Sequence, residues 1–383
     1  MTDLGLPAGL EGSTDLRGIL ESSCPPPLRE PPRGRWIYGA GGFGRQLARE
    51  LVRLNLPVLG FIDRKGRESA DVDGMLCRHP DDLPDGDARG THLVYGILNH
   101  AVAPHEILSW AESRPFDQLV FPTSFYEIEG FALDSYWLGP PRETLAHLSD
   151  LMTFYDRLAD EESRTTFLQL LQYRLSSDPR RHPAVREKEV YVERFLPIFD
   201  EPIIFVDAGA FTGDSLEALL DAGVKIAEWL AFEPDPENLR GLRRTAKRRA
   251  DALARYTLVP AGLADTNGRL LFASSGSMSS RLAGPDDTGN TLQVEVLRFD
   301  DAFRRSGRIY VKMDIEGAER EALRGMRNLL AQQRPILAIS AYHRTADLWE
   351  IPKLVCDLYP QPRLRLRQHG HHGFESVLYV SPG

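Results

Sequence analysis

The chain has 383 residues, 42% hydrophobic and 26% charged, with a formal net charge of −9 and a mean hydropathy of −0.31, the profile of a globular protein of about two domains. The negative balance argues against a nucleic-acid partner or an anionic-membrane surface, since both require a positive field. Cys24, Cys77 and Cys356 are too scattered for a CxxC metal cluster or a disulfide framework, and fit a reducing compartment.

The N-terminus "MTDLGLPAGLEGSTDLRG" lacks a basic stretch followed by an apolar one, so no secretory signal is expected. No apolar run reaches the ~18 residues of a membrane span, and the expectation is a soluble, cytoplasmic protein. Residues 1–34 end in "CPPPLREPPRGR", too dense in proline for a helix or a central strand, and read as a tail or linker. From Trp36, "RWIYGAGGFGRQLARELVRLNLPVLGFIDRKG" reads as strand, glycine turn, helix and strand. "THLVYGI" and "FDQLVFP" add two short strands around the helix "PHEILSWAESR". A small Rossmann-like unit is therefore expected over 35–125.

Within it, Gly39, Gly41 and Gly44 keep the G-x-G-x-x-G spacing between a strand and a helix, and Asp63 ends the next strand. That is the context of a nucleotide-binding turn, with close backbone approach, a helix N-terminus for phosphate and an acid for ribose. A turn that only packs tightly would have the same sequence, and only one mononucleotide-binding half is visible. Together with "DGMLCRHPDDL", the stretch resembles the small nucleotide-sugar-binding domain that precedes some sugar acyltransferases.

Residues 126–200 repeat apolar positions at three- and four-residue spacing in "ETLAHLSDLMTFYDRLADEESRTTFLQLLQYRL" and break at "SSDPRRHP". They read as a helical connector or cap, with a surface that would equally serve a homo-oligomer contact. Over 201–383 the strands "IIFVDAG", "WLAFEPD", "YTLVPAG", "RIYVKMD", "ILAISAY", "LRLRQH" and "SVLYV" are separated mostly by helices. This alternation predicts an α/β fold with a mostly parallel, doubly wound sheet of seven strands. "GHHGFE" is too short for a crossover helix, so the last two strands are expected to form an antiparallel hairpin.

"FVDAGAFTGDS" places Asp207 at a strand end and Gly209 and Gly213 in the turn that follows. A carboxylate there repels a pyrophosphate but suits a ligand with a sulfonium and an amino-acid end. Glu233 ends the next strand in "LAFEPDP", where a carboxylate accepts from ribose hydroxyls. The pair points to S-adenosylmethionine. Singly, Asp207 could be a helix cap and Glu233 a solvated loop acid.

"YVKMDIEGAE" then brings Asp314, Glu316 and Glu319 to the end of the fourth strand. Ligands in open α/β sheets sit at this edge, so Asp314 is expected on one rim with Asp207 and Glu233, and Lys312 one layer deeper. Glu319 reads as an acid favoured by the dipole of the next helix.

"FVDAGAFTGDS", "AFEPDPENLRGL", "PAGLADTNGRLLF", "LRFDDAF", "YVKMDIEGAEREALRGM" and "SAYHRTADLWEIPKLV", in this order, resemble the FkbM family of methyltransferases over about residues 150–383. The resemblance implies a class I S-adenosylmethionine-dependent fold, with Asp207, Gly209, Ala210, Phe211, Thr212, Gly213, Glu233, Pro234, Asp235 and Ala261 around the cofactor. It further implies O-methylation of a small-molecule or glycan acceptor such as a saccharide, a nucleotide-linked sugar or a natural product.

Methyl transfer requires an aligned acceptor and a base for its proton. Asp314 and His343 are the candidate bases, His343 as a near-neutral imidazole at the end of the fifth strand. Glu316, Ser277 and Ser279 are candidate contacts for the acceptor. A divalent cation bridging Asp314 or Glu316 to a sugar diol is compatible with the sequence but not required by it. His369, His371 and His372 read better as a polar hairpin turn than as a metal site. Two alternatives stand beside this reading. One is an NAD(P)-dependent oxidoreductase built on Gly39–Gly44, which Gly41→Asp would inactivate and Asp207→Ala would not. The other is a non-catalytic sugar-nucleotide-binding scaffold.

Overall fold

A computed structural model describes residues 13–133, 135–186, 190–273, 281–282 and 291–383. The chain divides into two compact units. The first comprises residues up to Met152 with Phe167–Ala184 and Gly370–Phe374; the second comprises Thr153–Thr166, Val185–His369 and Glu375–Gly383. No described helix is long and apolar enough to cross a membrane.

In the first unit β1 (Arg35–Tyr38), α1 (Gly42–Arg53), β2 (Val58–Ile62), β3 (Asp71–Val72), β4 (Met75–Arg78), β5 (His92–Tyr95), α2 (His105–Glu112) and β6 (Gln118–Val120) follow in order. The strands make a six-stranded sheet, β3-β4-β2-β1-β5-β6. All four residues of β1 are buried, as a parallel strand covered on both faces requires. Leu47, Ala48 and Leu51 form the buried stripe of α1, at the spacing of one helical face. The antiparallel pair β3–β4 was not among the expected strands. Its signal was Asp73-Gly74, both at positive φ (53° and 78°), the chemistry of a two-residue hairpin turn. Ahead of the prolines a helix forms over Ser13–Glu21, where the tail reading had none, because its residues precede the proline run. The connector is helical at Pro141–Ala146, Leu148–Arg157 and Glu161–Ser176.

The second unit holds β7 (Ile203–Ala208), α3 (Asp214–Asp221), β8 (Ile226–Phe232), α4 (Pro236–Arg248) and β9 (Tyr256–Val259). After an insert it continues with β14 (Ile309–Met313), α5 (Glu319–Gly325), α6 (Arg327–Gln333), β15 (Ile336–Ser340), α7 (Asp347–Leu358), β16 (Pro362–Gln368) and β17 (Ser376–Pro382). The sheet order is β16-β17-β15-β14-β7-β8-β9. β17 runs antiparallel to both neighbours and the other pairs are parallel, the seven-stranded sheet with a closing hairpin that the sequence predicts. Phe205, Trp229, Tyr310, Ile336 and Tyr379 lie in one buried cluster. Strand order reverses between β7 and β14, and a crevice opens at such a switch point.

The insert carries a second sheet, β10-β13-β11-β12, formed by β10 (Gly262–Leu263), β11 (Gly268–Ala273), β12 (Arg281–Leu282) and β13 (Thr291–Leu297). The seven strands read from the sequence do not include this sheet. "TLQVEVL" does alternate, with Val294 and Val296 buried and Gln293 and Glu295 exposed. Its partner lies well back along the chain, so the pairing itself is not visible locally.

Candidate active site

Register decides which acids share a level. Lys312 pairs with Asp207 and Met313 with Ala208, and Ala208 pairs with Phe232. Gly209, Glu233 and Asp314 therefore stand together just past the strand ends. The expectation of one rim changes for Asp207, which lies a layer below with Lys312. Its carboxylate is wholly buried, with Oδ1 3.4 Å from Lys312 Nζ and Oδ2 accepting from Trp229 Nε1 at 3.3 Å. Lys312 in turn donates to the carbonyls of Gly209 at 2.5 Å and Ala208 at 3.3 Å. Burial disfavours the ammonium, but Asp207 and Asp314 outweigh it and raise the Lys312 pKa. Asp207 thus acts on the glycine turn from beneath, through Lys312.

The turn is wound by three positive φ angles, 73° at Gly209, 46° at Phe211 and 93° at Gly213. A Cβ at position 209 would lie 1.9 Å from the Asp314 carbonyl oxygen, so only glycine lets β7 and β14 meet this closely. Ala210 is fully buried, while Phe211 is exposed. Thr212 packs against Gly241, where a Cβ would come within 2.7 Å of its methyl carbon. Gly213 caps α3.

Glu233, 5% exposed, ties two loops together. Oε2 accepts from the Phe211 amide at 2.8 Å and Oε1 from the Asp235 amide at 2.9 Å. Oε1 also meets Asn238 Nδ2 at 3.5 Å, so it is Oε2 that retains a second lone pair. Asp235 is the N-cap of α4, accepting from the Glu237 and Asn238 amides at 2.7 and 2.9 Å. Pro234 is half-buried between these acids, and Ala261 is buried beyond β9. The first unit repeats this device. Asp63 Oδ2 accepts from the Ala40 amide of the first glycine turn at 2.7 Å, and Oδ1 accepts from Lys65 N at 2.9 Å. Gly39 has φ 106°, and a Cβ on Gly44 would lie 2.0 Å from the Gly39 carbonyl oxygen, whereas one on Gly41 would meet nothing within 4 Å.

Across the switch point Asp314 is held from several sides. Its Oδ2 accepts from Tyr191 Oη at 2.9 Å, its Oδ1 from Tyr342 Oη at 3.3 Å, and His343 Nε2 lies 3.2 Å from Oδ1. Glu316 Oε2 is 3.6 Å from the same nitrogen. Glu316 has φ 54°, left-handed and uncommon outside glycine. Glu319, read as a dipole-favoured acid, begins α5 but is completely buried. Its Oε1 accepts from Ile315 N at 2.9 Å and lies 3.0 Å from His343 Nδ1. The sequence reading missed this role because the partner is on another strand.

Electrostatics follow from the packing. Burial opposes the Asp314 charge, but His343 and Lys312 prevail and hold its pKa well below the usual carboxylate range. Burial pushes Glu316 up to about 8, with His343 opposing and Asp314 and Glu319 reinforcing the rise. For His343, burial is outweighed by Glu319, Asp314 and Glu316, which raise it well above its ordinary value. The near-neutral imidazole expected of a free base is thereby displaced by three surrounding carboxylates.

Ser277 and Ser279 lie outside the described residues. The C-terminal histidines do not converge. His369 Nε2 meets Tyr379 Oη at 2.9 Å. His372 Nε2 meets Tyr95 Oη at 2.8 Å and its Nδ1 the Asn99 carbonyl at 2.9 Å. His371 N donates to the His100 carbonyl at 3.1 Å.

Residues 207–372 match the family model "Methyltransferase FkbM domain". This segment is similar to FkbM methyltransferase domains. The matched segment contains the β7 turn, Glu233, Asp314 and His343 in one span. The whole chain is similar in fold to the methyltransferase FkbM from Methylobacillus flagellatus KT, with a TM-score of 0.73 at 23% identity over 98% of this chain and 94% of that one. A precorrin-6y C5,15-methyltransferase from Geobacter metallireducens GS-15 aligns with a TM-score of 0.32 at 13% identity over 52% of this chain and 94% of that one, too distant to bear on the fold. No curated protein matches the sequence.

Proposed function

We propose that the FkbM-like domain is an S-adenosylmethionine-dependent O-methyltransferase acting on a hydroxylated acceptor, such as a saccharide, a nucleotide-linked sugar or a natural product. The observation that carries the reading is the switch-point rim, with Glu233 and the Gly209–Gly213 turn on one side and Asp314 with His343 on the other. S-adenosylmethionine, when bound, supplies a methyl group on a positively charged sulfonium.

The donor set fits that group. Glu233 Oε2 keeps a lone pair for a ribose hydroxyl, Oε1 is shared with a long 3.5 Å bond from Asn238 Nδ2 that a second hydroxyl can displace, and the backbone bonds fix the carboxylate in place before the ligand arrives. Exposed Phe211 offers an aromatic face beside it, a surface on which a base can stack. The carboxylates of Glu233 and Asp314 favour a cationic ligand and disfavour a pyrophosphate. On the acceptor side Asp314 receives the hydroxyl's hydrogen bond. His343 and the two tyrosines hold that carboxylate ionised and oriented, which is what a near-attack arrangement requires.

The test is isothermal titration of the full chain with S-adenosylmethionine and S-adenosylhomocysteine, on wild type, Glu233→Ala and the Asp207→Ala, Glu233→Ala double variant. Micromolar binding by wild type that is lost in the double variant is the expected result. Absence of binding to wild type would overturn the reading and turn attention to Gly39–Gly44 and a nucleotide ligand.

A further inference from the structure

The four side chains around His343 have a geometry that proton transfer alone does not need. His343 Nε2 lies 3.2 Å from Asp314 Oδ1 and 3.6 Å from Glu316 Oε2. Two ligand atoms bound to one ion at ~2.1 Å stand roughly 3 Å apart at a right angle and roughly 3.4 Å apart at a tetrahedral angle. Each separation by itself suits two neighbouring positions around one ion. On the other side of the ring, Glu319 Oε1 is 3.0 Å from Nδ1. A carboxylate that close raises the basicity of the imidazole through its charge, as the outer carboxylate partners of metal-bound histidines do.

An independent observation points the same way. Glu319 Oε2 is buried and has no hydrogen-bond partner among the described residues, in a residue of zero exposure. Leaving such an oxygen unpaired costs about 1–3 kcal/mol or more, and a nearby cation would offset that. Ligand atoms of Asp314, Glu319 and His343 all lie within 4.8 Å of one another. The side chains of Asp314 and Glu316 are 28% and 25% exposed, so an ion can reach the cluster from the rim.

We propose that Asp314, Glu316 and His343 Nε2 bind one divalent first-row transition ion, with Glu319 positioning the imidazole from behind. An imidazole beside carboxylates selects Mn²⁺, Fe²⁺, Co²⁺ or Zn²⁺ over Mg²⁺ and Ca²⁺, which prefer oxygen alone. The site rests on the methyltransferase reading for its consequence. An ion with three protein ligands has open positions, and at this rim they suit an acceptor that offers two adjacent oxygens, one of them the hydroxyl to be methylated. With the ion in place His343 is a ligand rather than a base, and the bound hydroxyl is made more acidic by the metal itself.

The experiment is titration of chelator-treated full chain with Mn²⁺, read by calorimetry and by the loss of free-ion paramagnetic resonance signal. The expected result is one Mn²⁺ per chain, bound at least 10-fold more weakly by Glu316→Gln and about 10- to 100-fold more weakly by Glu319→Gln. Co²⁺ provides a second measurement, because its visible absorption reports a nitrogen ligand and should change in His343→Gln. S-adenosylmethionine titration of the same variants reports whether they are folded. No stoichiometric binding of Mn²⁺ or Co²⁺ by wild type overturns the proposal, and so does binding that Glu316→Gln and Glu319→Gln leave unchanged. S-adenosylmethionine bound without the ion would sink the ion site alone. The ion bound without S-adenosylmethionine would sink the methyltransferase reading alone.

Discussion

Lys312 shows how much one buried side chain can organise. It neutralises Asp207 and donates to two carbonyls of the glycine turn. Lys312→Met should therefore cost about 3–5 kcal/mol in urea unfolding, the usual penalty for stranding one charge of a buried pair. Lys312→Met combined with Asp207→Asn should recover much of that stability yet still bind S-adenosylmethionine more weakly, because the turn has lost its anchor. Equal affinity in the double variant and wild type would show that Lys312 serves stability only. Gly209→Ala is a sharper case. The added carbon would sit 1.9 Å from a carbonyl oxygen, at φ 73°, so strain and clash together should cost more than about 1–3 kcal/mol, visible as a lower thermal midpoint.

Among the elements, α4 is the clearest test of what Asp235 does. The resemblance placed this residue at the cofactor; its carboxylate caps two backbone amides of the helix. Asp235→Ala should cost about 1 kcal/mol, and Asp235→Asn only a fraction of that, since both Asp and Asn cap well. Chemical denaturation of the three proteins decides it. Equal stabilities would mean that the cap contributes nothing. The motif "AFEPDP" could not separate these roles, because a cap and a ligand contact both place an acid at the end of a strand and the start of a helix.

For the whole molecule, pH should act through two histidines of the first unit. Burial lowers His182 to about 3, against an opposing bond to the Pro183 carbonyl, and lowers His372 to about 4, against the Asn99 carbonyl. An unfolded histidine titrates near ~6.5, so between those values the unfolded chain binds more protons than the folded one. The stability they confer is complete above pH ~6.5 and is lost progressively as pH falls from there to 4 for His372 and to 3 for His182, at about 1.4 kcal/mol per pH unit for each. Urea midpoints measured from pH 7 to 4.5 should fall for wild type and fall less steeply for His372→Asn. Parallel slopes would remove His372 from the acid sensitivity.

Much of this was legible in the chain itself. The seven strands of the second unit, their parallel order and the closing hairpin follow from apolar runs separated by helices and from the shortness of "GHHGFE", both local properties. The two glycine turns and the acids at their neighbouring strand ends were equally local. What only the tertiary structure decided is which atoms face each other. Cross-strand register put Asp207 on Lys312 rather than on the rim. The return of β15 brought His343 between Asp314, Glu316 and Glu319, turning a helix-start acid into a buried partner of an imidazole. The insert became a sheet because segments far apart in sequence pair with one another. Side-chain type and spacing are written along one dimension, whereas burial, ion pairing and metal-ligand distance depend on contacts between residues remote in the chain.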